Sequence, residues 1–525
     1  MSYLDSREVP DGAQIETDIC IIGGGAAGIA MAAELVGSSR RVILLESGGL
    51  SLDGDTQALY SGQNIGFPYY PPVTVRLRFL GGTTNHWAGA CKPLDPIDFE
   101  QRDWVPMSGW PIGYAELEPY YERAHVVCDL GPVDYAPESW LAPDAQPLDL
   151  PPETLRTTMY QISPPTRFAQ KYGPMLERRS NVQTYLHGNA INFELDASDT
   201  AVRSVEVACL TGTKFCISAR TFVMAMGALE NARMLLHCVE SGNFPTAAWQ
   251  DWVGRCFMEH LSVVGGVLAP ADPSLSVALY HGRPSRDGHL GFGVVAPSPQ
   301  AMTQEQMLQV RLGLTPTNVR EGVRSVAPGL IGAAVAAQSG RLFRELGEHV
   351  QNIIAELDDL AVYSYEHMFR ARAPRSAYFL HYILEQAPNR DSRITLSDAR
   401  DALGMRQLQI DWRFDELERH SLRRMNSLVA AEVGAAGIGR VWEAPEEAST
   451  GWPAGVRGSW HQMGTTRMSR DSRNGVVDRD CRVHGTENLF IAGSSVFATS
   501  GQANPTLTIV ALALRLADHV KGLSA

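Results

Sequence analysis

The most constraining feature of this chain lies near its amino terminus. Thr17 to Ile22 (TDICII) is a short apolar run rich in β-branched residues, and Gly23-Gly24-Gly25-Ala26-Ala27-Gly28 follows it directly. An Ala- and Leu-rich stretch then runs to Val36, and a second apolar run, Val42 to Leu45, ends at Glu46. The order strand, glycine turn, helix, strand is a βαβ unit of about 30 residues. Each glycine has a physical task. Gly23 permits the tight turn, Gly25 lets backbone approach a pyrophosphate, and Gly28 lets helix and strand pack closely. The helix amino terminus supplies the anion site. Glu46 stands where a carboxylate can accept hydrogen bonds from an adenosine ribose, and its charge disfavours a 2′-phosphate there, so NADP is the least favoured nucleotide. At this stage FAD and NAD both remain open.

At 525 residues the chain exceeds a single core of roughly 100–200 residues, so two or more domains are expected. Its 44% hydrophobic and 20% charged composition is that of a globular protein, and its 48 glycines point to many close backbone approaches. A net charge of −13 repels nucleic acid and anionic membranes, so neither is expected as a partner. The eight cysteines include no C-x-x-C, which argues against a metal site and a disulfide framework and for reduced thiols in a cytoplasm. The first residues carry no basic then apolar leader pattern, so no export signal is expected. The longest weakly polar stretch, Gly329 to Ala337, is far short of the roughly 20 residues that span a bilayer.

Trp104 to Glu177 is rich in Pro, Tyr and Trp and reads as an irregular, lid-like segment with a helix over Tyr114 to Ala124. Asn181 to Phe222 alternates as a β-meander and is followed by a strand, a turn at Gly227 and a helix. Residues 260 to 450 mix short strands with helices, and Gln304 to Ala371 reads as largely helical. Asn488 to Ala492 reads as a buried strand, Gly493 to Ser495 as a turn, and Asn504-Pro505-Thr506 as a helix start with Asn at the cap and Pro at the first helical position. His461, just before Gly464-Thr465-Thr466, suits a general base for an alcohol or a hydrogen-bonded core histidine equally well.

Five ordered segments carry a family resemblance. They are the Gly23 fingerprint with Glu46, FLGGTTNHWAG from Phe79, GALENAR from Gly227, HQMGTTRM from His461 and GSSVFATSGQANPTLT from Gly493. Together they resemble the glucose-methanol-choline (GMC) flavoprotein oxidoreductases, in particular the branch containing pyranose 2-oxidase and bacterial sugar and polyol dehydrogenases. The resemblance implies an α/β fold (α+β overall). A Rossmann-like FAD-binding domain would be assembled from residues 1–103, 178–259 and 451–525. A substrate-binding domain with a β-sheet and flanking helices would take residues 104–177 and 260–450.

The resemblance also assigns roles. It implies His461 as catalytic base with Asn504 as its partner. It places Gly81, Gly82, Thr84 and Asn85 in a loop along the flavin, Val182 beside the adenine-side backbone and Gly493 near the ribityl-pyrophosphate. Ala26, Ala27, Gly227, Ser494, Pro505 and Thr506 join the cofactor set. His86 aligns with the histidine that carries a covalent flavin bond in pyranose 2-oxidase. Related dehydrogenases hold FAD without that bond, and non-covalent attachment, with His86 stacking on or hydrogen-bonding to the flavin, is the expectation. Where pyranose 2-oxidase has a threonine near flavin N5 this chain has Ala88, which weakens the expectation of efficient oxygen chemistry.

The expected reaction is FAD-dependent oxidation of an alcohol to a carbonyl on a sugar, glycoside or aminosugar. Oxygen, a quinone or another acceptor would take the electrons. Trp104, Trp110 and Tyr120 are candidates for stacking on a sugar, or for core. Sterols, aliphatic alcohols, GMC-fold lyase chemistry, a silent scaffold and a dehydrogenase with a separate electron-accepting partner are the alternatives. No haem-attachment C-x-x-C-H is present in this chain.

Overall fold

The glycine fingerprint sits where its spacing predicts. In the computed structural model, which describes residues 3–178, 181–244, 247–317 and 377–523, strand Gln14–Ile22 leads through Gly23 to Gly25 into helix Ala26–Leu35 and on to strand Val42–Leu45. The strand pair is parallel with Ile22 opposite Leu45. Lys214–Met224 lies parallel on the other side with Met224 opposite Ile22, and Leu489–Ile491 is parallel beyond it with Ile491 opposite Met224. Val182–Leu186 completes this part next to Val42–Leu45. Parallel strands covered on both faces read as continuous apolar runs, and Cys20, Ile21, Leu44, Val223, Met224 and Ile491 are all fully buried. An antiparallel meander, Asn189–Leu195, Val202–Ala208 and Lys214–Met224, extends the sheet as the alternation predicts.

This register has one functional consequence. The carboxyl ends of four parallel strands, at Ile22, Leu45, Met224 and Ile491, come to one edge. In open α/β sheets that edge is where ligands bind. Helix Ala26–Leu35 packs against the terminal helix Thr506–Gly522, and the first residues of both, Ala26 and Thr506, line the same cavity.

A second, antiparallel sheet orders its strands as Gly439–Glu443, Leu261–Pro270, Ala377–Leu384, Val310–Thr317, Leu290–Pro297, Leu155–Ile162 and Ala90–Cys91. A small third sheet joins Arg393–Arg400, Arg406–Asp411 and Gly62–Asn64. Buried ion pairs tie the parts together. Arg102, at 3% exposure, donates to both carboxylate oxygens of the fully buried Glu385, one of them at 2.8 Å.

Several expectations are corrected. Val310–Thr317 is a strand in the middle of the second sheet, not helix, because it pairs residue by residue along its whole length with Ala377–Leu384. The rest of the expected helical section, from 318 to 371, lies outside the described residues. The segment from 104 to 177 is less irregular than its Pro and Trp content suggests. It contributes strand Leu155–Ile162 to the second sheet, and helix Phe168–Arg178, which packs against Ala26–Leu35. Trp110 and Trp104 are structural: Trp110 is buried on Phe99 and Phe497 with its Nε1 donating to Thr499, and Trp104 donates to the Met307 carbonyl. Tyr120 lies under the Arg123 guanidinium. The terminal helix begins at Thr506 with Pro505 in the cap position, and the Asn504 side chain does not cap it. Its amide is turned toward His461 instead.

Candidate active site

A cavity of about 370 Å³ opens at the strand ends. Gly23, Gly25, Ala26, Ala27 and Glu46 line it from the fingerprint, Gly82, Thr84, His86 and Ala88 from the second loop, and Gly227 from the turn after Lys214–Met224. Gly493, Ser494, His461, Asn504, Pro505 and Thr506 line it from the carboxy-terminal segments. Thus segments more than 400 residues apart in sequence meet on one cavity.

Local chemistry explains why the walls hold. Gly23 has φ +112°, and a Cβ there would stand 2.5 Å from the Ala225 carbonyl oxygen. A Cβ on Gly28 would stand 1.9 Å from the Gly23 carbonyl oxygen, so Gly28 is a position of close backbone packing, and it does not line the cavity. Apart from its chain neighbours, none of the described residues has an atom within 4 Å of where a Gly25 Cβ would be. The Glu46 carboxylate is buried and accepts from the backbone N–H of Gly24 at 2.8 Å and of Gly48 at 2.7 Å, fixing the end of its strand to the glycine turn. Gly81 N–H donates to the Gly24 carbonyl at 2.7 Å, laying the second loop on the first. Gly81 and Asn85 shape that loop without lining the cavity, the Asn85 amide donating to Leu80 at 3.0 Å. Val182 is a buried strand residue opposite Val42 and does not line the cavity either.

At the other end His461 is the focus. Its Nε2 lies 3.2 Å from the Asn504 amide nitrogen, and its Nδ1 lies 2.9 Å from Nδ1 of His260. Burial, then His260 and the Arg311 guanidinium, hold the His461 imidazole well below the usual 6.5, so it is neutral at physiological pH. His86 is buried, both of its ring nitrogens lack a hydrogen-bond partner among the described residues, and its ring stacks on Trp460 at 6.1 Å and 21°. Burial and then Arg167 push His86 down to about 4.

Sequence reasoning missed four residues here. His260 opens the apolar strand Leu261–Pro270, and the signal that could have marked it is the polar pair Glu259-His260 in front of such a run. Glu259 is fully buried and accepts from Tyr69 Oη at 2.8 Å and Ser459 N–H at 2.9 Å, and burial pushes its carboxyl up to about 7. Tyr69 Oη in turn accepts from the Gln462 amide at 2.9 Å, so the residues flanking His461 are tied to a buried network. Trp460 lines the cavity beside His461, is 36% exposed, and has φ +62°, a strained conformation for so bulky a residue. Only chain adjacency to His461 signals it.

Residues 18–344 match the family described as FAD dependent oxidoreductase, and residues 388–513 match the family described as GMC oxidoreductase. The chain belongs to the FAD-dependent oxidoreductases, within their GMC family. Among curated relatives, the fructose dehydrogenase large subunit of Gluconobacter japonicus is 25% identical over 96% of this chain and 98% of its own. Paromamine 6'-oxidase of Streptomyces fradiae is 26% identical over 96% of this chain and 91% of its own. Among solved structures, pyridoxine 4-oxidase from Mesorbium loti superposes with a TM-score of 0.59 at 19% identity, covering 97% of this chain and 100% of that one. That likeness is one of fold.

The residues present fit FAD. The buried ring nitrogens of His86 and the buried Asn504 Oδ1 face the cavity without partners, and each suits a polar group of the cofactor. The clearance at Gly25 lies at the amino terminus of helix Ala26–Leu35, where a pyrophosphate is favoured.

Proposed function

We propose that this enzyme oxidises an alcohol group of a sugar, glycoside or aminosugar to a carbonyl, with His461 as the base. The pairing of His461 Nε2 with Asn504 at 3.2 Å on the wall of the FAD cavity carries the reading. When bound, FAD supplies the acceptor for the hydride released from the alcohol carbon. His461 Nε2 takes the hydroxyl proton, and its depressed basicity keeps it unprotonated and ready to do so. Asn504 Nδ2–H donates to the substrate oxygen and holds it against Nε2. The proton ends on His461 and the substrate ends as a carbonyl, so the charges balance once the hydride has left.

Two observations support a polyhydroxylated substrate. The relatives above include enzymes named for fructose and paromamine. Trp460 offers an apolar aromatic face beside the base, suited to the C–H face of a sugar ring. Ala88, which lines the cavity, supports a weak oxygen reaction and a quinone or other acceptor. The partition proposed here assigns the parallel sheet to the cofactor and the antiparallel sheet to the substrate. Strands Ala90–Cys91 and Arg457–Gly458 cross from the cofactor stretches of chain into the second sheet. The eight free thiols support a cytoplasmic location. Among the described residues no helix is long and apolar enough to cross a membrane.

Anaerobic mixing of the yellow protein with a panel of sugars, glycosides and aminoglycosides tests the reading. Bleaching by one class, lowered about 10²- to 10⁴-fold in His461→Ala, is the expected result. Turnover without bleaching would make the protein a lyase, and undiminished bleaching in the variant would remove His461 as base.

A further inference from the structure

The hydrogen-bond chain behind His461 leads to a carbonyl that can only accept. His260 is fully buried, and its Nε2 lies 2.9 Å from the Gly501 carbonyl oxygen, with the Ser500 carbonyl at 3.4 Å. A carbonyl has no proton to give, so His260 Nε2 must carry one. Burial, then Arg311, pushes His260 down to about 4, so the ring is neutral and has a single N–H. Its Nδ1 is therefore a lone pair. Facing that lone pair at 2.9 Å is His461 Nδ1, with the two rings 5.0 Å apart at 80°. Two lone pairs cannot share that contact, so the one proton of neutral His461 sits on Nδ1 and the lone pair sits on Nε2.

Asn504 cannot make this choice. Its amide can rotate to offer either oxygen or nitrogen, so it accommodates both tautomers of His461. The Gly501 carbonyl is main chain between the well-buried Ser500 and Gln502, and it cannot reverse its polarity. We infer that His260 is a positioning residue that reads the polarity of the Gly501 carbonyl and holds His461 in the tautomer whose Nε2 lone pair faces the cavity.

The inference rests on His461 as the base. When that base takes a proton on Nε2, its Nδ1–H bond to His260 becomes charge-assisted and strengthens as the reaction proceeds. A carboxylate in the place of His260 would raise the basicity of His461. A neutral histidine orients the ring without that effect, which agrees with a base held well below 6.5.

The test has two arms on the holoenzyme. In the first, ¹⁵N-histidine NMR assigns the His461 signals by their loss in His461→Gln. A protonated Nδ1 and an unprotonated Nε2 are expected in the unmodified protein, and the reverse assignment overturns the inference whatever the variants do. In the second, His260→Leu removes the acceptor while His260→Asn keeps one at the Nδ1 position. His260→Leu should slow alcohol-dependent flavin reduction about 10- to 100-fold with a much smaller change in KM, and should populate the Nε2–H tautomer of His461. His260→Asn, whose amide permits the Nδ1–H tautomer without enforcing it, should recover part of the rate and give a mixture of His461 tautomers. Equal loss in both variants with the tautomer unchanged would make His260 merely structural and overturn the inference. Retained reduction in His461→Ala beside the expected NMR assignment would instead sink the proposed base and leave the tautomer relay standing.

Discussion

Gly28 and Gly25 stand three residues apart in one turn, and their substitution by alanine should have opposite consequences. At Gly28 the new Cβ would meet the Gly23 carbonyl oxygen at 1.9 Å, about 1.5 Å short of ordinary contact at 3.4 Å. The obstacle is main chain inside the βαβ turn, so relief requires helix and strand to separate. Overpacking costs about 1–3 kcal/mol, and a backbone obstacle places Gly28→Ala near the upper end, about two orders of magnitude in the folding constant. At Gly25 the backbone is extended, with φ −87° and ψ −164°, and among the described residues no obstacle lies within 4 Å beyond its chain neighbours. The small loss of a glycine cap offsets the gain from a stiffer unfolded chain, so Gly25→Ala should leave the apoprotein within about 1 kcal/mol of the original. Its methyl would stand in the cavity at the helix amino terminus, and FAD affinity should fall about tenfold or more. Urea unfolding of the apoproteins and FAD titration followed by flavin fluorescence separate the two effects. An apo Gly28→Ala as stable as the original, or a Gly25→Ala that binds FAD undiminished, would refute the assignment of packing to one glycine and cofactor clearance to the other.

Three further outcomes follow from the geometry. Arg311 helps to hold His461 well below 6.5, so Arg311→Met should raise the His461 pKa and move the acid limb of flavin reduction to higher pH; a shift to lower pH contradicts the assignment. Glu385→Gln leaves the Arg102 guanidinium buried against a neutral partner, and the loss of unfolding free energy should reach about 3–5 kcal/mol, read by urea titration; a loss under about 1 kcal/mol would show that the pair is dispensable. Acid precipitation of the holoprotein reports on His86, whose ring nitrogens are unpartnered: yellow colour in the supernatant is expected, and colour in the pellet would mean a covalent link.

The nucleotide half of the molecule was legible because its signals are local. Gly23, Gly25, Gly28 and Glu46 lie within one βαβ unit, where turn, helix start and strand end are fixed by neighbours in sequence. His461 and Asn504 came from family resemblance, and the structure adds what spacing could not, a contact between side chains 43 residues apart. The role of His260 is not legible in sequence, where only the polar pair Glu259-His260 marks the position, because its partner is 201 residues away and its anchor, Gly501, is 241 away. The strand Val310–Thr317 carries its own signal, Val310, Leu312 and Leu314 alternating with Arg311, Gly313 and Thr315, but so short a run is submerged when it is read together with the longer section around it. Asn504 was read as a helix cap because Asn before Pro is a cap signal, while the structure gives its amide to His461.

The parallel sheet also dictates when the cofactor can be captured. One wall of the cavity is the turn at Gly493 that follows strand Leu489–Ile491, and another is the start of the terminal helix at Thr506. During synthesis, the glycine turn near residue 23 leaves the ribosome more than 400 residues ahead of the segments at Gly493 and Thr506 that it meets across the cavity. The anion site at the head of helix Ala26–Leu35 is thus built first and completed last. A flavin can be enclosed only once those later segments are in place, and the cofactor would then join stretches of chain more than 400 residues apart.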